Sequence, residues 1–283
     1  MLNIEQINNI KVEPVKVKEP TFKSNPDLFN FFFEIILLVG NRGFGKTTLA
    51  LNLLELQKQY IDMVSVVSPN AQTDLKVMTV LKNMPHRLYE ILTNEVVEDI
   101  KEDIDRRIKL YNDCKKLYKL IKRIQNQRVP KLTDEEQDFL EELKDDDIQE
   151  MLELVKKGHP PTSVLWIDDQ VGTNLIHKKE GELVKMVIKN RHRYLTCIFG
   201  TQNLKSISPP IRKCASVLFI APTMDKKYRQ DIFIELEGVV KTFDNFNEIM
   251  DEVNKQPYQF LSVFNNGKQS DLRINLDRKI SLL

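Results

Sequence analysis

The chain has 283 residues, of which 41% are hydrophobic and 29% charged, and its formal net charge at pH 7 is +1. This length supports one sizeable core with an appendage, and the near-neutral charge leaves room for nucleic-acid binding only at a local patch. The three widely spaced cysteines, Cys114, Cys197 and Cys214, form no CxxC pair. This argues against a zinc site or a disulfide framework and fits a reducing compartment. No apolar run is long enough to cross a bilayer, and we expect neither a signal peptide nor a membrane partner.

Residues 1–26 contain Pro14, Pro20 and Pro26 among scattered lysines and glutamates. This composition predicts an N-terminal arm or extended lead-in rather than a domain. Two interpretations stay open, a frayed terminus and an arm that reaches a neighbouring subunit.

A glycine-rich segment follows the apolar run Phe31–Val39 and precedes a helical pattern that starts at Thr48. It reads GNRGFGKT and matches the phosphate-binding loop GxxxxGK[ST], in which glycines bring backbone N–H groups against phosphate oxygens. Lysine then reaches the β- and γ-phosphates, the hydroxyl ligates Mg²⁺, and the helix dipole faces the triphosphate. The alternative is a glycine-rich turn that merely contains a lysine, but the flanking strand and helix favour the phosphate loop. The predicted nucleotide-binding residues are Gly40, Asn41, Arg42, Gly43, Phe44, Gly45, Lys46, Thr47 and Thr48.

The next elements are a short strand and an interrupted helix. Met63–Val67 is predicted as a strand that stops at Ser68-Pro69-Asn70, and 74–92 as partly helical with a break near Pro85.

Residues 93–158 differ in pattern and are predicted to form an inserted helical hairpin. Apolar residues recur at steps of three and four from Val97 to Ile124, which indicates one stripe along a long helix. Thr133 and Glu136 match a capping box for a second helix, which Gly158 would end. The hairpin is either a solvated pair that packs on itself or a contact arm for a partner or neighbouring subunit.

Strands and helices alternate again after the hairpin. Strands are predicted at 163–169, 195–202 and 215–220, helices at 181–190, 226–237 and 243–255, and a terminal β-hairpin at 258–276. This order predicts an α/β fold with a mostly parallel sheet covered by helices on both faces. We therefore divide the chain into the arm 1–26, a core domain of 27–92 and 159–283, and the insertion 93–158.

Two of these predicted strands end in polar residues. Asp168 is placed to hold Mg²⁺ beside the phosphate loop. Strand alternation predicts that Asp169 points elsewhere, where it can polarise the water that attacks the γ-phosphate. Gln202, at the end of a neighbouring strand, can sense the γ-phosphate or the attacking water. The alternatives are an acidic pair before a turn and an ordinary loop glutamine.

Three arginines are candidates for a residue supplied across a subunit boundary to stabilise charge on the γ-phosphoryl group. Arg191 is the first candidate, and Arg193 and Arg212 are the others. Each has the alternative of being a solvated surface residue.

In order, the segments GNRGFGKTTLAL, VLWIDD, NRHRYLTCIFGTQ and IRKCASVLFIAP, followed by a strand hairpin, resemble the HerA/FtsK superfamily of P-loop ATPases. The likeness is greatest to the poxvirus-type genome-packaging ATPases of large DNA viruses and virophages. Within it, Gly40–Thr47 correspond to Walker A, Asp168-Asp169 end the Walker B strand, and Gln202 is the sensor. Asn190-Arg191-His192 correspond to a GRH-like triplet, with asparagine in place of glycine. The resemblance covers about Phe31–Asp277 without the insertion, for which it implies no role.

This resemblance implies a RecA/FtsK-like fold, with ATP and Mg²⁺ as cofactors and hydrolysis coupled to translocation of double-stranded DNA without sequence specificity. It implies a ring of about five or six subunits, contacts with capsid proteins, and a location in the host cytoplasm, a viral factory or the virion.

Two other classes stay open, a P-loop kinase of a small molecule and a nucleotide-gated scaffold protein. The kinase would need an arginine-rich lid, of which the sequence has no compact example.

Overall fold

The computed structural model describes residues 32–126, 132–143, 147–170, 173–265 and 270–280. The predicted arm 1–26 lies outside them, as does most of the predicted turn Asn265-Asn266-Gly267. Within these ranges, no helix has both the length and the apolar character needed to span a membrane.

The strands are β1 Ile35–Val39, β2 Met63–Val67, β3 His86–Tyr89, β4 Ser163–Asp168, β5 Leu195–Thr201, β6 Val217–Ile220, β7 Leu261–Asn265, β8 Ser270–Ile274 and β9 Arg278–Ile280. The helices are α1 Lys46–Gln57, α2 Leu75–Leu81, α3 Asn94–Gln125, α4 Asp134–Glu142, α5 Ile148–Lys157, α6 Asn174–His177, α7 Glu182–Ile188, α8 Pro209–Cys214, α9 Lys226–Leu236 and α10 Phe243–Val253. Short 3₁₀ turns occupy Lys58–Tyr60, Asn190–Arg193 and Leu204–Ser206.

The nine strands of the described residues form one sheet in the order β3-β2-β4-β5-β1-β6-β7-β8-β9. The first six in this order run parallel, whereas β7, β8 and β9 add antiparallel strands at one edge. The predicted α/β class, with a mostly parallel sheet and a terminal hairpin, is confirmed.

Side chains of β1 divide between the two faces of the sheet, as strand alternation requires. Ile36 and Leu38 join a core with α1 and α2, whereas Ile35, Leu37 and Val39 join a core with α3 and α7–α10. Because both faces are covered, every residue of β1 is buried.

The insertion between β3 and β4 is helical, as predicted, and it is tied to the main core. The first half of α3 contributes Val97, Ile100 and Ile104 to the core beneath it. Further along, Leu110, Tyr111 and Cys114 form a separate cluster with Met151 of α5. The helix after Thr133 is two helices, α4 and α5, rather than the single helix predicted. The predicted capping box at Thr133 and the left-handed cap at Gly158 are both confirmed.

Two strands escaped prediction. Residues of β3 were assigned to a broken helix, but His86–Tyr89 pairs in parallel with β2. The segment has four residues, all half-buried, at the edge of the sheet, so it carries neither an apolar run nor a clear alternation. The three-residue strand β9 is too short to give a pattern.

Candidate nucleotide site

The glycine-rich loop joins the carboxyl end of β1 to the start of α1. Gly43 has φ +86° and Gly45 has φ +88°, a left-handed conformation that side chains other than glycine rarely adopt. Gly45 caps α1, so the free N–H groups at the helix start face the loop. A Cβ atom at Gly40 would lie 2.5 Å from Cβ of Ala221, just after β6, so only glycine fits there. The loop therefore has the backbone geometry of an anion-binding nest.

Lys46 is folded back onto this loop. Its Nζ donates hydrogen bonds to the carbonyl oxygens of Gly40 at 2.7 Å and Asn41 at 3.2 Å. Burial lowers the pKa of Lys46, while the negative charges of Asp168 and Asp169 oppose that effect. The ammonium is thus held against the loop, within electrostatic range of Asp168 and Asp169.

The Thr47 hydroxyl donates a hydrogen bond to Oδ2 of Asp168 at 3.0 Å. Thr47 lies in α1, after the loop that follows β1, and Asp168 ends β4. These two strands are not neighbours, because β5 lies between them. Gly200 of β5 makes the contact possible, since a Cβ atom there would lie 1.9 Å from Oδ1 of Asp168. Burial raises the pKa of Asp168, and the hydrogen bond from Thr47 and the charge of Lys46 oppose that rise.

The hydroxyl of Thr47 and the carboxylate of Asp168 are hard oxygen donors of the kind that Mg²⁺ prefers. Among the described residues, no three His, Cys, Asp or Glu side chains form a cluster that could hold a metal unaided. A nucleotide-bound Mg²⁺ does not need one, because it keeps several waters and is completed by phosphate oxygens. The residues present therefore fit magnesium bound together with a triphosphate.

Asp169 and Gln202 meet at the same edge of the sheet. Nε2 of Gln202 donates a hydrogen bond to Oδ1 of Asp169 at 3.1 Å, and both side chains are exposed. The expectation that strand alternation sets the direction of Asp169 was wrong, because β4 ends at Asp168 and Asp169 has φ +50°. This left-handed turn leaves Asp169 in the lining of the same cleft as Asp168.

A cleft of about 1110 Å³ brings most of the predicted residues together. Its lining includes the predicted residues Arg42, Gly43, Gly45, Lys46, Thr47, Thr48, Asp168, Asp169 and Gln202. The predicted residues Gly40, Asn41 and Phe44 are not part of that lining. Asn41 instead contributes its carbonyl oxygen to Lys46, and Phe44 packs against the core beneath α1.

The three candidate arginines precede strands β5 and β6 and lie near the amino ends of the parallel strands. The cleft lies at the carboxyl ends of these strands. Arg191 is exposed just before β5, where its charge opposes the burial that raises the pKa of Glu34. Glu34 directly precedes β1, whereas the phosphate loop follows it, so about 17 Å of strand separates the two ends. Arg193 is paired with Asp105 at 3.2 Å and Arg212 with Glu235 at 2.9 Å. Of the three, Arg191 is the exposed one.

Sequence reasoning missed three residues that shape the cleft or support it. Gly200 makes room for Asp168, and a glycine inside a strand is a recognised sign of such a close approach. The Tyr228 hydroxyl donates to the carbonyl oxygen of Gln202 at 3.0 Å, and burial raises its pKa to about 12. Tyr258 lines the cleft from a loop before β7, and no sequence motif marks it.

No protein-family model matches the chain. No curated protein matches it either.

Solved structures with a similar fold are known. EssC (ATPases 2 and 3) from Geobacillus thermodenitrificans is 13% identical with a TM-score of 0.51, and the match covers 86% of this chain and 39% of that one. The genome packaging NTPase B204 from Sulfolobus turreted icosahedral virus 2, in complex with ATP-gammaS, is 17% identical with a TM-score of 0.44, covering 84% and 95%. The pCW3 conjugation coupling protein TcpA is 16% identical with a TM-score of 0.44, covering 84% and 58%. The chain thus has an α/β fold similar to that of EssC.

Proposed function

We propose that this protein is a magnesium-dependent ATPase that moves double-stranded DNA into a viral capsid. The observation that carries the ATPase part is the hydrogen bond between Thr47 and Asp168, which places the phosphate loop and the acidic strand end side by side. The order of motifs, with its likeness to HerA/FtsK packaging motors, supports the DNA-pumping part.

The phosphate loop and Lys46 bind the nucleotide. The backbone N–H groups of the loop and of the start of α1 cradle the phosphates, and Lys46 exchanges its contacts with Gly40 and Asn41 for phosphate oxygens. Thr47 and Asp168 would hold Mg²⁺, which would neutralise charge on the phosphates.

Asp169 is the residue that activates water. It is exposed in the cleft, and its Oδ1 accepts a hydrogen bond from Gln202, whose own backbone carbonyl is held by Tyr228. A carboxylate oriented in this way accepts the proton of the attacking water, and the Gln202 amide senses the γ-phosphate.

The position of Arg191 supports an active site completed by a neighbouring subunit. Since Arg191 lies at the opposite edge from its own phosphate loop, it is available to the nucleotide of another subunit in a closed ring of about five or six. Arg193 and Arg212 are weaker candidates because each is already paired with a carboxylate.

Double-stranded DNA passes through such a ring and is held by contacts to its phosphates, without reading of bases. Hydrolysis releases the closure of one subunit on the next, and this change moves the DNA. Capsid proteins are the further partners of this motor, which would act in the host cytoplasm, the viral factory or the virion.

We expect Lys46→Ala to abolish tight ATP binding, because the loop loses the ammonium group that would contact the β- and γ-phosphates. Asp169→Asn should keep ATP affinity within about twofold while turnover falls by about 10²-fold or more, the usual contribution of a general base. Isothermal titration and a phosphate-release assay measure the two effects.

Asp138→Asn is the matched control for Asp169→Asn, since Asp138 is an exposed carboxylate on α4 that does not line the cleft. Its turnover should equal that of the wild type. If Asp169→Asn hydrolyses ATP at the normal rate, the water-activating role is wrong.

Double-stranded DNA should raise ATP turnover, and the stimulation should grow with protein concentration because a ring must assemble around the DNA. The measurement is phosphate release at several protein concentrations, with and without linear duplex DNA. Phosphate transferred to a small acceptor would instead favour the kinase, and nucleotide binding without turnover would favour the scaffold.

We expect Arg191→Ala to lower turnover by about 10³-fold, the low end of the effect of an arginine finger, while ATP still binds. Mixing it with Lys46→Ala should restore activity, since an Arg191→Ala subunit keeps its phosphate loop and its Lys46→Ala neighbour supplies the arginine. Lys189→Ala, which removes a nearby exposed cation, should stay active on its own. Mixtures that gain no activity would count against action across subunits.

A further inference from the structure

Tyr258 is a large aromatic residue that is left in solvent beside the phosphate loop. Its side chain is 68% exposed, and its backbone is held at φ +60°, which is uncommon for a residue other than glycine. Neither feature stabilises the fold. An exposed aromatic ring held in an unfavourable backbone conformation indicates a role in binding.

The ring lies directly against the loop that would hold the phosphates. A Cβ atom placed on Gly45 would lie 3.5 Å from Cδ1 of Tyr258, so the ring edge is in van der Waals range of that position. Tyr258 lines the cleft together with Phe260 and with Asn275, Leu276 and Asp277, the turn between β8 and β9. The rim of the cleft on this side is therefore made by the C-terminal strands.

This rim is on the opposite side of the loop from the acidic residues. Asp168 ends β4 and Gln202 follows β5, both to one side of β1 in the sheet, whereas β6, β7 and β8 lie to the other side. A triphosphate whose γ end reaches Asp169 and Gln202 must extend the other way to place its sugar and base. That direction leads to Tyr258.

Hydrogen bonds hold the segment beneath Tyr258 in place. Asn275 Oδ1 accepts a hydrogen bond from Phe260 N at 3.0 Å, and Asn275 N donates to Phe260 O at 2.8 Å. Phe260 itself is buried in the core beneath α1. The backbone next to Tyr258 is thus held in place by hydrogen bonds, which reduces the entropy lost when a flat ligand stacks on the ring.

We propose that Tyr258 is the stacking platform for the base of the bound nucleotide, with Leu276 as an apolar side of the same subsite. This inference rests on the proposed nucleotide function of the cleft. Stacking on an aromatic ring requires only the π face of the base, so the subsite selects a nucleotide over a bare polyphosphate.

The test compares two ligands that share their phosphates. With Mg²⁺ present, isothermal titration measures the affinity of ATP and of inorganic tripolyphosphate for the whole 283-residue chain. Tyr258→Ala should weaken ATP by about tenfold, as expected for loss of one stacked base, and leave tripolyphosphate unchanged. Tyr258→Phe should stay within about twofold of the wild type for both ligands, and Tyr258→Leu should be intermediate for ATP.

Tyr118→Ala, on α3, is the matched control for removal of a tyrosine ring and should leave both affinities unchanged. Thermal unfolding identifies a variant that fails to fold. If Tyr258→Ala does not fold, the ATP affinities of Tyr258→Phe, which keeps an aromatic ring, and Tyr258→Leu, which lacks one, still test whether stacking matters.

The outcomes separate the subsite from the function of the cleft. If wild-type protein binds neither ligand, the proposed function and the subsite both fail. If Tyr258→Ala leaves ATP affinity unchanged, or weakens ATP and tripolyphosphate equally, the base subsite is wrong while the phosphate site stands.

Discussion

The hydrogen bond from Thr47 to Asp168 joins two segments that are 121 residues apart in sequence, and the rest of the site depends on it. It requires β1 and β4 to run in the same direction with one strand between them, since only then do the loop and the carboxylate reach the same edge. It also requires Gly200 in the intervening strand, where any side chain would displace the carboxylate. A long helical insertion between β3 and β4 leaves this arrangement intact because α3 is anchored in the core.

The proposed catalytic side chains lie at opposite ends of the parallel strands. Lys46, Asp168, Asp169 and Gln202 are at the carboxyl edge, whereas Arg191 is at the amino edge of the same strands. A single subunit therefore cannot bring its own Arg191 to its own phosphates without unfolding β1 or β5, both of which are buried. This separation is the reason that the proposed role of Arg191 requires a neighbouring subunit.

Much of this arrangement is local in sequence and could be predicted. The phosphate loop, the capping box at Thr133, the cap at Gly158 and most strands depend on neighbouring residues or on a short periodic pattern. The half-buried strand β3 gave no such pattern. The direction of Asp169 depends on where β4 ends, and the role of Gly200 depends on which strand lies beside it. Tyr258 is brought to the phosphate loop by the pairing of β6 with β7, a contact that no local motif encodes.

The most direct test of the shared site is a double-mutant cycle on the affinity for ATP with Mg²⁺, using Thr47→Val, Asp168→Asn and the double variant. If the hydroxyl and the carboxylate hold one magnesium–triphosphate together, the two losses are not independent. The double variant should then be little weaker than the worse single variant, with a coupling energy of about 1–3 kcal/mol. Losses that add to within about 0.5 kcal/mol would show that the two residues act separately and would contradict the account.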